Sequence, residues 1–303
     1  MIIHLRQSYS FILQGKRENQ EDSRFPDKDM PDASQRFFIV CDGVGGHSKG
    51  EVASRLVANS MGSLLSKFDW KENFSNADFR HVLDVAYNEL DANAVSANRD
   101  MATTLVLAAF HDGGMTLSHI GDSRVYHIRP NEGIIYRSDD HSMVNTMVHN
   151  GMITPDEATI DNRRHIITRY MSPTDADQTR CMATVLRTAD VQDGDYVFLC
   201  SDGVLQCIDD DALLDILSRN NDDRIVIEEI KRRCIDSSDN STATLIHIDK
   251  VEQGLPLYHQ LPLDDNNTAY YNHNEDGVVN IASTMRARKK SNGLISFLKG
   301  LFN

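Results

Sequence analysis

Two apolar runs in this chain end in an aspartate followed by glycine. Phe37-Phe38-Ile39-Val40-Cys41 leads into Asp42-Gly43-Val44-Gly45-Gly46-His47, and Tyr196-Val197-Phe198-Leu199-Cys200-Ser201 leads into Asp202-Gly203. Such unbroken runs of β-branched and aromatic residues read as strands buried on both faces. An acid at the end of a buried strand must face a cavity or a counter-ion, because an unpaired interior charge is costly. Other acids sit in similar settings. Leu117-Ser118-His119-Ile120 precedes Gly121-Asp122-Ser123-Arg124, Asp239-Asn240 lies further on, and Arg17-Glu18-Asn19-Gln20-Glu21-Asp22 lies upstream. Acids gathered from distant parts of a chain imply a shared carboxylate site, and hard cations such as Mg²⁺ or Mn²⁺ prefer oxygen ligands. Asp-Gly is also a common hairpin turn, and Asp112-Gly113-Gly114 and Asp193-Gly194 read as ordinary turns.

Strands are expected at 8–14, 37–41, 102–110, 115–120, 124–129, 134–138, 196–200 and 242–248, each bounded by Gly, Asp or Asn. Apolar residues at helical spacing predict helices at 51–68 and 77–98, then a second pair at 210–219 and 222–236. Runs of strands separated by helix pairs suggest two packed sheets with helices outside, rather than alternating βαβ units. Residues 139–180 interrupt the pattern with a short helix at 141–150 and a long polar stretch, a length that marks functional surface segments.

The formal charge of −14 over 303 residues argues against nonspecific nucleic-acid binding, which needs a basic face. Five cysteines without a CxxC pair suit a reducing cytosol and argue against a zinc site; Cys41 and Cys200 read as small buried hydrophobes. The first residues do not form a signal peptide, and no stretch approaches the ~20 apolar residues of a membrane-spanning helix. A cytoplasmic location is expected.

Taken in order, residues 17–23, 40–51, Thr103-Thr104-Leu105-Val106, 120–126, Asp140-His141-Ser142, 199–204 and Asp239-Asn240 resemble the metal-dependent protein phosphatases of type 2C. The likeness is to the compact bacterial members and covers about residues 8–249. It implies an α+β fold, a four-layer α-β-β-α sandwich of two antiparallel sheets flanked by helix pairs, with metals in a cleft at one end. It also implies a Ser/Thr phosphatase that opposes a kinase, acting on phosphorylated proteins through a water shared by two Mn²⁺ or Mg²⁺ ions. By the same resemblance Asp42 bridges the ions, the Gly43 carbonyl completes one, and Asp202 and Asp239 complete the other. Asp122, with Asp202, holds a weaker third cation. Glu21 and Asp22 act through bound waters, with Asn240 beside them, and Arg17 grips the phosphate. Animal members carry a histidine after the Asp-Gly, where this chain has Val44. That leaves either His47 or a bound water to protonate the leaving alkoxide.

Three segments are expected: a catalytic domain at 1–250, a flexible linker at 251–284 and a basic amphipathic end at 285–303. From Gly277 onward there is no acidic residue, and Arg286, Arg288, Lys289 and Lys290 precede Leu294, Ile295, Phe297, Leu298, Leu301 and Phe302, which share one helical face. Such an end can dock on its own domain, on a partner protein, or on an anionic membrane surface.

Overall fold

The computed structural model describes residues 1–44, 49–94, 100–174, 179–219 and 222–252. Two antiparallel sheets stack face to face. One contains β1 (Ile2–Leu5), β2 (Tyr9–Leu13), β7 (Arg124–Arg129), β8 (Gly133–Arg137), β10 (Tyr196–Cys200) and β11 (Ser241–Glu252), in the order β1-β11-β10-β7-β8 with β2 also on β11. The other has the order β3-β4-β5-β6-β9, from β3 (Ser23–Phe25), β4 (Phe37–Cys41), β5 (Leu105–His111), β6 (Gly114–Ile120) and β9 (Thr184–Thr188).

Period-two alternation explains why the two acid-tipped strands are apolar throughout. Phe37, Ile39 and Cys41 pack under α1 (Gly50–Leu65) and α2 (Asn76–Asn93), while Phe38 and Val40 face the space between the sheets. Similarly, Tyr196, Phe198 and Cys200 pack under α6 (Asp210–Arg219) and α7 (Asp223–Cys234), while Val197 and Leu199 meet Val40 and Val106 between the sheets. Each of these fully buried aliphatic side chains contributes about 1.5–3 kcal/mol. The result is the four-layer α-β-β-α sandwich, with Cys41 and Cys200 as buried strand residues.

Both ordinary turns hold. Gly114 and Gly194 adopt φ of +118° and +84°, which suits glycine because it lacks a Cβ. Five elements fall outside the sequence expectation, among them the one-turn helix α5 (Asp202–Leu205). β1, β3 and β9 are only four, three and five residues long and owe their form to partners elsewhere; Ile2, for example, pairs with Glu252. α4 (Pro155–Ile160) lies in the segment read as polar loop, yet it carries a capping box from Thr154 and Glu157 and Pro155 in its first turn. The expected helices also shift at their ends. The 141–150 helix is α3 (Met143–His149), and the 77–98 helix is seen to Asn93, with 95–99 outside the described residues. Among the described residues no helix is long and apolar enough to cross a membrane. Of the linker expected at 251–284, Val251 and Glu252 belong to β11 and pair with β1; the remainder and the basic end, 253–303, lie outside the described residues.

Candidate active site

β4 and β10 deliver their acids to the same end of the sandwich. Asp42 continues the alternation onto the inter-sheet side, and its main chain is fixed by two threonines. Its N–H donates to Thr104 Oγ1 at 3.0 Å, and its carbonyl accepts from Thr104 N at 2.8 Å and Thr103 Oγ1 at 2.9 Å. The next residue must be glycine. A Cβ on Gly43 would sit 2.5 Å from the Gly50 carbonyl carbon and 2.8 Å from the Glu21 carbonyl oxygen, while Gly43 N–H donates to that same Glu21 oxygen at 3.1 Å. The start of α1, the Asp42 loop and the Glu21 loop thus meet backbone to backbone.

Asp202 opens the short α5 (Asp202–Leu205), directly after Ser201. Its neighbour Gly203 lies against the next acidic loop, since a Cβ there would be 2.0 Å from the Asn240 carbonyl. Ser201 ties the two strands and Asp22 together. Its N–H donates to Thr242 O and its Oγ accepts from Thr242 N, both at 2.9 Å, and the same hydroxyl donates to Asp22 Oδ2 at 2.8 Å. Asn240 acts as a clamp rather than facing outward. Its Oδ1 accepts from Glu21 N at 2.7 Å, and its Nδ2 donates to the carbonyls of Gln14 and Asn19 at 2.8 and 3.0 Å. It therefore shapes the loop that presents Arg17. Arg17 donates to Asp239 Oδ2 at 2.7 Å.

The acids act on one another. Burial, followed by the charges of Asp22, Asp202, Asp122 and Asp239, holds the Asp42 carboxyl well above its ordinary range. Asp202 is raised by burial and by Asp239, against a hydrogen bond with Asp42 that pulls it down. Burial, with Asp202 and Asp140 nearby, pushes Asp122 up to about 8. Burial likewise lifts Asp22 to about 7 despite its hydrogen bonds, and Glu21 is raised by burial and by Glu51.

This donor set suits a hard divalent cation: it is all oxygen, its carboxylates destabilise one another, and Asp22 Oδ1 is buried without a hydrogen-bond partner. In this arrangement no three acid, histidine or cysteine side chains among the described residues close on a common point. Asp239 is engaged by Arg17 at 2.7 Å, and its charge is felt by both Asp42 and Asp202.

The cleft over these acids has a volume of about 1380 Å³. Arg17, Glu21, Asp42, Gly43, Asp122, Asp202, Asp239 and Asn240 all line it, as do α3, α4 and the turn that follows them. Asp22 sits beneath it, and His47 lies outside the described residues. Sequence reasoning missed the supports: Thr104, Ser201, and the double hydrogen bond of Arg124 to Asp140 at 2.6 and 2.7 Å, which braces the Asp122 loop. Thr104 also exchanges a 2.7 Å hydroxyl hydrogen bond with Ser123. The Thr-Thr and Asp-His-Ser blocks were visible in the sequence, but neither pattern reveals its partner.

A family model described as protein phosphatase 2C matches residues 20–231. The serine/threonine protein phosphatase PstP of Mycobacterium tuberculosis is 33% identical over 207 residues, which are 66% of this chain and 36% of that one. This chain thus spans about a third of the length of that relative. Protein phosphatase PhpP of Streptococcus pneumoniae is 30% identical over 67% of this chain and 80% of its own. Among solved structures, the catalytic domain of PstP in complex with two manganese ions aligns over 82% of this chain and all of that one, with 26% identity and a TM-score of 0.64. Stp1 of Staphylococcus aureus covers 82% of this chain and 98% of its own, with 27% identity and a TM-score of 0.68.

Proposed function

The chain belongs to the protein phosphatase 2C family, and from that premise we propose that it hydrolyses phosphoserine and phosphothreonine in proteins, opposing a Ser/Thr kinase, with two Mn²⁺ or Mg²⁺ ions and a weaker third. The observation that carries this reading is the convergence of Asp42, Asp122 and Asp202 in one cleft with Asp239 and Arg17. Cations held there would supply an ionisable water and would offset the charge on the phosphoryl oxygens.

The protein's own part is to hold and orient. Asp42 and the Gly43 carbonyl, with Asp202 and Asp239, would hold the two ions, and Asp122 with Asp202 would hold the third. Gly43 is required because a side chain there would drive the Asp42 loop off the Glu21 loop. Glu21, from the cleft wall, and Asp22, from beneath it, would orient waters bound to the ions. Arg17 is already held at the acids by Asp239. Its planar guanidinium, held beside these acids, would be placed to take two phosphoryl oxygens. His47 or a water protonates the leaving alkoxide. No serine or cysteine nucleophile is needed.

The test is hydrolysis of a phosphothreonine peptide by the full chain with Mn²⁺, repeated with chelator. Phosphate release only with the metal supports the reading; no release with Mn²⁺ or Mg²⁺ removes it.

A further inference from the structure

The cleft is larger than its chemistry requires. Its 1380 Å³ exceeds the roughly 300–1,000 Å³ of ordinary small-molecule pockets, so it has room for peptide on either side of a phosphorylated residue. Away from the acids, Val144, Val148, Pro155 and Ala158 form an apolar wall, and Arg164 and His165 line the rim beyond it.

Four arginines line this cleft, and three are already matched. Arg17 is held by Asp239 at 2.7 Å, Arg124 by Asp140 at 2.6 Å, and Arg137 by Asp210 at 2.5 Å. Arg164 has no carboxylate partner among the described residues. The neighbouring charge is also neutralised, because Arg163 makes a double hydrogen bond to Asp161 at 2.9 and 2.7 Å.

The turn that carries Arg164 is clamped at several points. Arg163 N donates to Asp161 Oδ1 at 2.8 Å and Arg164 N to Asp161 O at 3.1 Å. Ile166 N donates to Arg163 O at 3.0 Å, and Met143 N to Ile166 O at 2.8 Å. A guanidinium presented from a fixed turn costs less ordering on binding than one on a loose loop. Its planar fork matches a carboxylate in two-point geometry.

We infer that Arg164 reads an acidic side chain flanking the phosphorylated residue, so that the favoured substrates are phosphopeptides with a carboxylate close to the phosphoserine or phosphothreonine. This rests on the phosphatase reading above and adds the substrate class. The chain's charge of −14 repels acidic peptides as a whole. The preference is therefore local to the rim and runs against the field of the molecule.

The experiment uses the full chain with Mn²⁺ and two phosphothreonine peptides, alike except that the acidic residues flanking the phosphothreonine in one are Gln and Asn in the other. The acidic peptide is expected to have a kcat/KM about two- to fivefold higher, carried mainly by KM and shrinking with added salt. Arg164→Ala brings the ratio to about one, Arg164→Lys leaves it intermediate, and Arg164→Glu reverses it. Arg164 is exposed, and unchanged melting temperatures identify these shifts as recognition rather than folding. A wild-type ratio of one, or a ratio unaltered in Arg164→Glu, overturns the inference while leaving the phosphatase reading in place. Hydrolysis of neither peptide overturns both.

Discussion

The Arg17 guanidinium donates to Asp239 Oδ2 at 2.7 Å across 222 positions of sequence. The residue proposed to grip phosphate and one proposed to hold metal are thus paired with each other. The pair keeps Arg17 beside the acids, where Glu21 and Asp202 also act on its charge. Arg17→Ala should lower kcat/KM for a phosphothreonine peptide by roughly ten- to a hundredfold, the scale of a charge-assisted hydrogen bond. Mn²⁺ affinity, measured by calorimetry, should stay the same or rise slightly because Asp239 is released. A parallel loss of metal binding and catalysis would instead make Arg17 a structural residue.

The raised carboxyls make stability depend on pH and metal together. Asp22 and Asp122 keep their protons to about 7 and about 8 in the folded chain, against an ordinary 3.8. The folded state therefore binds more protons than the unfolded state over that interval, and stability falls as pH rises through it. Without metal, the melting temperature should drop by several degrees between about pH 5 and pH 8, and saturating Mn²⁺ should cancel the drop. Asp122→Asn should flatten part of the metal-free slope. A metal-free melting temperature that is level across this range would show that the acids do not repel one another as described.

Gly43→Ala tests close packing at the site. The added methyl meets main-chain atoms at 2.5 to 2.8 Å, and main chain cannot rotate aside as a side chain can. A cost of about 1–3 kcal/mol or more is expected, lowering the melting temperature by roughly 5 °C. The stabilisation by Mn²⁺ should also shrink, because the Gly43 carbonyl is displaced. Wild-type stability with wild-type metal response would count against the backbone contact.

Residues 281–303 carry Arg286, Arg288, Lys289, Lys290 and Lys299 and no acid. We propose that this end directs the enzyme to a surface or a partner rather than building the fold, since β11 already closes on β1 with Glu252 opposite Ile2. Each basic residue near an anionic bilayer contributes about 1 kcal/mol. Deleting 281–303 should leave peptide hydrolysis intact and abolish co-sedimentation with vesicles rich in anionic lipid. Equal sedimentation of both forms would rule out the membrane address, and loss of peptide hydrolysis would mean that the end packs on the core.

The two acid-tipped strands, the helix pairs and the layered arrangement were legible in the sequence because each rests on local periodicity. A strand buried on both faces has to be apolar throughout, and Phe37–Cys41 and Tyr196–Cys200 are. The acids Asp42 and Asp202 could be named for the same reason: a charge at the end of such a strand needs a partner. What only the tertiary structure decided is who those partners are. Nothing in the spacing of Arg17 and Asp239 pairs them, and nothing local tells that Thr104 supports Asp42, that Asn240 clamps the loop bearing Arg17, or that β9 joins β6. These depend on which backbones come within hydrogen-bonding distance once two sheets close on a shared core. That distance is set by packing over the whole chain, whereas periodicity is set by a few neighbouring residues.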